Sequence, residues 1–259
     1  MAGRSSLQCT HYFVGKSLTV SAVEVSGFTS HEQQGHHIWW NPALVERLDN
    51  TAFDLRAWQQ QGGEAAAAGR GSACQIELAG RRCFLRHYRR GGLIGKLLHD
   101  QYLWLGAARS RVVREMAITH QLQQQGLPAP RVVGGRLSRA GLSYRCDLIT
   151  EALPAVASMA EQLADLTEPR WAQIGEVVAQ FHLAGLWHAD LNTHNIQLSD
   201  TQAWVIDFDR AEFRAPAKKW QQANLERLWR SVCKVAGGET PSLRQGWNTL
   251  QQAYSAKLM

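Results

Sequence analysis

The apolar residues of this chain recur with two different periods, and the change of period divides it. CQIEL and RRCFLRHY alternate apolar and polar positions on either side of Ala79-Gly80, a pattern that predicts a β-hairpin. RVVGGRL and LSYRCDLIT predict a second hairpin around Ser138 to Gly141. Between the two hairpins, the spacing predicts a helix from about Ser110 to Gln125, ended by Gly126 and Pro128. Upstream, residues 43 to 61 fit another helix, opened by Pro42 and carrying Leu44, Leu48, Leu55 and Trp58 among its apolar positions. IWWNP just before it reads as a short docking element, and the small residues from 61 to 73 read as a loop. Residues 1 to 35 are mixed in character and carry no assignable pattern.

After Glu151 the helical period takes over. Trp171, Ile174, Val177, Val178 and Phe181 share one face of a helix over 170 to 186. Leu225, Leu228, Trp229 and Val232 do the same over 217 to 236, where Gly237-Gly238 ends the run. Between these helices, a short strand near Ile196 to Leu198, a turn at Ser199-Asp200 and the strand AWVID form a small hairpin that bears acids. The order is therefore a strand-rich first half with one helix, then a helical second half. No internal repeat interrupts it.

At 259 residues and 45% apolar, the chain has the size and composition for one domain with two lobes, or for two small domains. Its five cysteines are odd in number, far apart and never in a C-x-x-C pair. A disulfide framework or structural zinc is not expected, and a reducing cytoplasm fits. No stretch near the N-terminus reads as a leader, and no run of 18 apolar residues occurs. The net charge is +6, unevenly placed: Arg81 to Arg114 holds nine Lys or Arg and one acid, so this segment carries +8 and the remainder −2. Such a concentration implies an anionic partner, whether phosphates, a membrane surface or nucleic acid, unless it is only a solvated helix face.

The chemistry concentrates in WHADLNTHNIQ and in the WVIDFD that follows it. Asn195 and Asp207 supply hard oxygen ligands that suit Mg²⁺ with phosphates completing its shell. Asp190, offset from them, is placed to orient or deprotonate an attacking hydroxyl. A zinc site from His182, His188 and His194 is the alternative, but their spacing scatters them over a helix end and a loop.

His188, Asp190 and Asn195 match H-x-D-x-x-x-x-N, and Ile206-Asp207-Phe208 matches the start of the D-F-G signature. The chain thus resembles protein kinase-like enzymes, which implies an α+β, bilobal fold: an antiparallel-sheet N-lobe with one helix over 36–151, and a mostly helical C-lobe over 152–259. Residues 1–35 stay unassigned. The resemblance places Arg86 where such enzymes carry a strand lysine, with Lys96 as a competing candidate, and Glu115 as its partner on the next helix. It places Gly69 and Gly71 in a degenerate glycine loop, with Cys74 at the third glycine position. His188 would brace the catalytic loop. Asp209 stands where the signature has glycine, as a second carboxylate near the metal or a turn cap. From Asp207 to the next helix there are only about ten residues, too few for the activation segment of a peptide kinase.

LRHYRRGGLIGKLLHDQYLW, together with WHADLNTHNI and VIDFDR, is similar to the 3-deoxy-D-manno-octulosonic acid (Kdo) kinases of the lipopolysaccharide kinase family, from about Ile38 to the region of Val235. The resemblance implies ATP and Mg²⁺ as cofactors and phosphorylation of the sugar's 4-hydroxyl on a lipid A precursor. It also implies peripheral attachment at the cytoplasmic face of the inner membrane. Arg89, Arg90 and Lys96 would meet the acceptor or lipid headgroups. Leu97, Leu98, Tyr102, Leu103, Trp104 and Leu105 would rest at the interface or pack on the core. The alternatives are a lipopolysaccharide heptose kinase or other small-molecule kinase of this fold, and a membrane-associated pseudokinase. Nucleic acid is not an expected partner.

Overall fold

The computed structural model describes residues 23–60, 73–89, 100–154 and 156–259. The strands β1 (Thr29–Gln33), β2 (His36–Trp40), β3 (Ala73–Leu78), β4 (Arg81–His87), β5 (Tyr102–Leu103), β6 (Val132–Ala140) and β7 (Ser143–Glu151) form one antiparallel sheet. Its order is β1-β2-β6-β7-β4-β3, with the two-residue β5 added at the start of β7. The β3–β4 hairpin turns where predicted, because Ala79 and Gly80 both take positive φ, 50° and 71°, as a two-residue hairpin turn requires. Alternation buries Cys74 and Ile76 of β3 with Cys83 and Leu85 of β4.

One face of the sheet packs on Leu44, Val45, Leu48 and Phe53. The other receives α2 (Arg111–Gln124) through Val112, Val113 and Met116. That helix must come close, since a Cβ on Gly135 of β6 would lie 2.5 Å from the Met116 sulfur and 2.7 Å from a Val112 methyl.

Beyond Glu151 the core is helical. A capping box at Ser158 and Glu161 opens α3 (Met159–Gln162), and α4 (Glu168–Leu183) follows. The latter shares an apolar cluster with α5 (Lys218–Val235) and α6 (Pro241–Leu258), built on Trp171, Ile174, Leu228, Trp247 and Leu250. Short strands decorate this core: β8 (Ala157–Ser158), β10 (Ile196–Leu198) and β11 (Ala203–Val205) form one sheet, and β9 (Leu186–Trp187) pairs with β12 (Glu212–Phe213). This is the antiparallel-sheet half followed by a helical half that the sequence predicts.

Three expectations differ from the structure. Residues 43 to 61 do not form one helix. Asp49 caps a 3-10 turn at Asn50–Phe53, and Asp54 accepts from the amides of Arg56 and Ala57 to start a separate α1 (Leu55–Gln60). IWW is not a docking element but part of β2, paired on both sides, with Ile38 and Trp39 fully buried. Part of the unassigned N-terminal segment, Thr29–Gln33, forms the edge strand β1. The glycine loop with Gly69 and Gly71, and the stretch with Arg90 and Lys96, lie outside the described residues.

Candidate active site

The β10–β11 hairpin brings the metal-type ligands together. Its register pairs Ile196 with Val205, so Asn195 and Ile206 leave the open end side by side, and the Ile206 amide donates to the Asn195 carbonyl at 2.9 Å. The Asn195 side-chain amide donates to the Asp190 carbonyl at 2.9 Å, which leaves its oxygen as the atom available to a cation. Asp207 takes φ = 63°, a left-handed conformation that costs a non-glycine residue about 1 kcal/mol and turns its carboxylate toward the sheet.

There it meets Arg86. The guanidinium donates through Nη1 to Asp207 Oδ1 at 2.5 Å and through Nη2 to both oxygens of Glu115 at 2.5 Å. The strand position and the α2 position predicted for this pair are thus joined within the first half, and Arg86 carries the contact across to Asp207. Burial works against the charge on Arg86, yet Glu115 and then Asp207 hold its pKa above the ordinary arginine value. Burial likewise opposes ionisation of Asp207, but Arg86 more than offsets it and keeps that carboxyl below its usual range. Tyr88, not foreseen as a site residue, lies two positions on, just past the end of β4, on the same face. Its hydroxyl donates to Glu115 at 2.5 Å, and the Arg86 guanidinium lies 4.6 Å from its ring centre.

His188 braces the loop through both ring nitrogens. Nδ1 accepts from the Asp190 amide at 3.1 Å, and Nε2 faces the Ile206 carbonyl at 3.0 Å. A carbonyl only accepts, so the proton sits on Nε2 and the ring is neutral. Burial lowers its pKa, in keeping with that state. His182 bonds to Tyr254 and Asn224, His194 is exposed, and no group of three potential metal-binding side chains occurs among the described residues. The three histidines therefore make no zinc site.

Helix α5 supplies a second support, hidden in the sequence. Asn224 accepts from the His188 amide at 3.2 Å and donates to the His188 carbonyl at 3.1 Å. Arg227 bonds Asp190, and the Ser231 hydroxyl lies 2.9 Å from that of Thr193. Positions 224, 227 and 231 share one helical face, which tracks the loop from 188 to 193. Asp209 gives its two carboxylate oxygens to Arg111, the first residue of α2, with Nε to Oδ1 at 2.6 Å. It acts as an inter-lobe tie. Arg89 is exposed at the end of β4. The apolar run near it divides: Tyr102 is buried and Trp104 packs on the sheet core, while Leu103 and Leu105 are 61% and 59% exposed.

An N-lobe ion pair on a strand and helix, an H-x-D loop and a hairpin acid together define a protein kinase-like phosphotransferase. The fold agrees: a type VIII aminoglycoside-3'-phosphotransferase superposes with a TM-score of 0.51 at 16% identity, covering 78% of this chain and 90% of that one. Within that class, the chain belongs to the lipopolysaccharide kinase (Kdo/WaaP) family, whose model matches residues 56–254. The match runs past Val235 into α6, further than the sequence motifs alone reach. A 3-deoxy-D-manno-octulosonic acid kinase of Xylella fastidiosa (strain M12) is 40% identical over 227 residues, 85% of this chain and 91% of its own length. One of Stenotrophomonas maltophilia (strain R551-3) is 40% identical over 216 residues, 81% and 86% of the two chains.

Proposed function

We propose that this enzyme transfers the γ-phosphoryl group of ATP to the 4-hydroxyl of Kdo on a lipid A precursor. The observation that carries the reading is the convergence of Asp190, Asn195, Asp207 and the Arg86–Glu115 pair on one cleft, in a chain 40% identical to Kdo kinases over most of its length. The acceptor oxygen forms the new bond to phosphorus as the bond to the β-phosphate oxygen breaks. Asp190 orients the hydroxyl and takes its proton. Arg86, held by Glu115 and Tyr88, presents a rigid guanidinium to the phosphates. The oxygen donors of Asn195 and Asp207 fit Mg²⁺, which binds few protein ligands and keeps water and phosphate in its shell. Bound there, the ion would neutralise phosphate charge.

The same reading places the enzyme peripherally on the cytoplasmic face of the inner membrane. It is supported by the +8 segment and by Leu103, Leu105 and Leu142, exposed in adjacent strands and their turn. Among the described residues, no helix is long and apolar enough to cross a membrane.

The test is to incubate the enzyme with ATP, Mg²⁺ and a Kdo-bearing lipid A precursor, and to map the product by mass and by phosphorus–proton correlation. One added phosphate at the sugar's 4-position is expected, and Asp190→Ala should lower kcat by about 10²- to 10⁴-fold. Phosphate at another hydroxyl, or transfer only to a heptose-bearing acceptor, would overturn the reading.

A further inference from the structure

The contact between Asp190 and Arg227 is asymmetric. Arg227 reaches Asp190 from α5 and donates through both Nε and Nη2, yet both bonds end on the same oxygen, Oδ1. Among the described residues, Oδ2 of Asp190 and Nη1 of Arg227 make no hydrogen bond. The Asp190 and Arg227 side chains are 38% and 45% exposed, so the pair lies at the surface and not in the core. The rest of the helix face explains the loop's position without Arg227. Asn224 holds the His188 backbone from both sides, and Ser231 holds Thr193. A third, exposed, positively charged contact is not needed to fix the loop.

It is needed if the acceptor is itself an anion. An acidic sugar must bring its reacting hydroxyl to the carboxylate of Asp190 while carrying a carboxylate of its own. Like charges so placed repel, and the repulsion strengthens as the closing cleft excludes water. A guanidinium fixed against Oδ1 removes that penalty and still has donors for a second carboxylate, while Oδ2 stays open to the hydroxyl. We propose that Arg227 is a specificity-determining residue that binds the acceptor's carboxylate beside the reacting hydroxyl. This rests on the reading above that the acceptor is an octulosonic acid. A neutral acceptor would offer no second anion to the donors of Arg227 that Asp190 leaves unused.

The experiment compares the Kdo-bearing acceptor with its carboxyl methyl ester, using wild-type enzyme, Arg227→Gln and Arg227→Lys. For the wild type, esterification should raise KM by about 10- to 100-fold, the worth of one charged hydrogen-bonded contact. Arg227→Gln should raise KM for the free acid by a similar factor and abolish the preference over the ester. Arg227→Lys should retain part of that preference. Thermal unfolding of each variant checks that the fold is intact. If Arg227 only positions Asp190, kcat falls equally on both acceptors and the acid-over-ester ratio survives in Arg227→Gln, which overturns the proposal. Wild-type enzyme that transfers nothing to the free acid overturns the Kdo reading itself, and this inference with it.

Discussion

Arg86 occupies a position where lysine would serve the same charge, and its surroundings are shaped for the guanidinium. One end pairs with Asp207, the other forks onto Glu115, and the plane lies against Tyr88. A lysine ammonium is a point charge on a flexible stem and cannot hold that bridge and stack together. Arg86→Lys should therefore lower kcat/KM for ATP by about tenfold or more and reduce stability by roughly 1–3 kcal/mol, the range for a buried charged hydrogen bond. Steady-state kinetics and denaturant unfolding measure the two effects; a variant as active and stable as the parent would show that only the charge matters. Asp190, Asn195 and Asp207 were legible in the sequence because a single loop and hairpin fix their spacing. Arg227 and Asn224 were not, because they reach the loop from a helix some 36 residues away, and only tertiary packing brings that helix there. Tyr88 was within reach, since period-two alternation places it on the face of Arg86.

At the scale of elements, the alternating and helical periods of the sequence match the observed elements wherever one long face is buried, as in β3, β4, α2 and α4. They misled over residues 43 to 61, where Leu44 and Leu48 precede the 3-10 turn capped by Asp49 and, of the three leucines, only Leu55 falls in the helix that Asp54 starts. They were silent over Thr29–Gln33, because TSHEQ is an edge strand whose residues are all exposed or half-buried and carry no apolar signature. The glycine pair in β6 is a stronger signal than it first looks. Gly135 sets how closely α2 approaches the sheet, and α2 carries Glu115 to Arg86. Gly135→Ala must displace Met116 and Val112, or the helix itself. We expect a stability loss of about 1–3 kcal/mol from overpacking, with kcat reduced because the Arg86–Glu115 pair is pulled apart. Unfolding and kinetics on the same preparation decide the matter, and full activity at reduced stability would mean that the side chains yield and the helix stays in place.

At the scale of the whole molecule, three of its exposed leucines, Leu103, Leu105 and Leu142, lie close together at one edge of the sheet. The β6–β7 turn lifts Leu142 to 81% exposure beside Leu103, and the Trp104 amide donates to the Leu142 carbonyl at 2.9 Å, which locks the two segments together. Arg139 stacks over Trp104 at 4.8 Å, and Arg145 holds Asp100 at 2.7 Å while remaining half exposed. On the proposed peripheral attachment, these leucines would offer apolar area to the acyl boundary, and nearby cations would add about 1 kcal/mol each near the headgroups. The full chain should therefore co-sediment with vesicles of phosphatidylcholine mixed with phosphatidylglycerol and much less with phosphatidylcholine alone. Raising salt from about 0.1 M to about 0.5 M should weaken binding by shortening the Debye length. The double variant Leu103→Glu with Leu142→Glu should bind anionic vesicles about tenfold or more weakly, since it removes apolar contact and adds two like charges. Both positions point to solvent, so the fold should be unaffected and the unfolding midpoint should stay near that of the parent. Equal binding to both kinds of vesicle, or a double variant that sediments like the parent, would place the membrane contact elsewhere on the molecule.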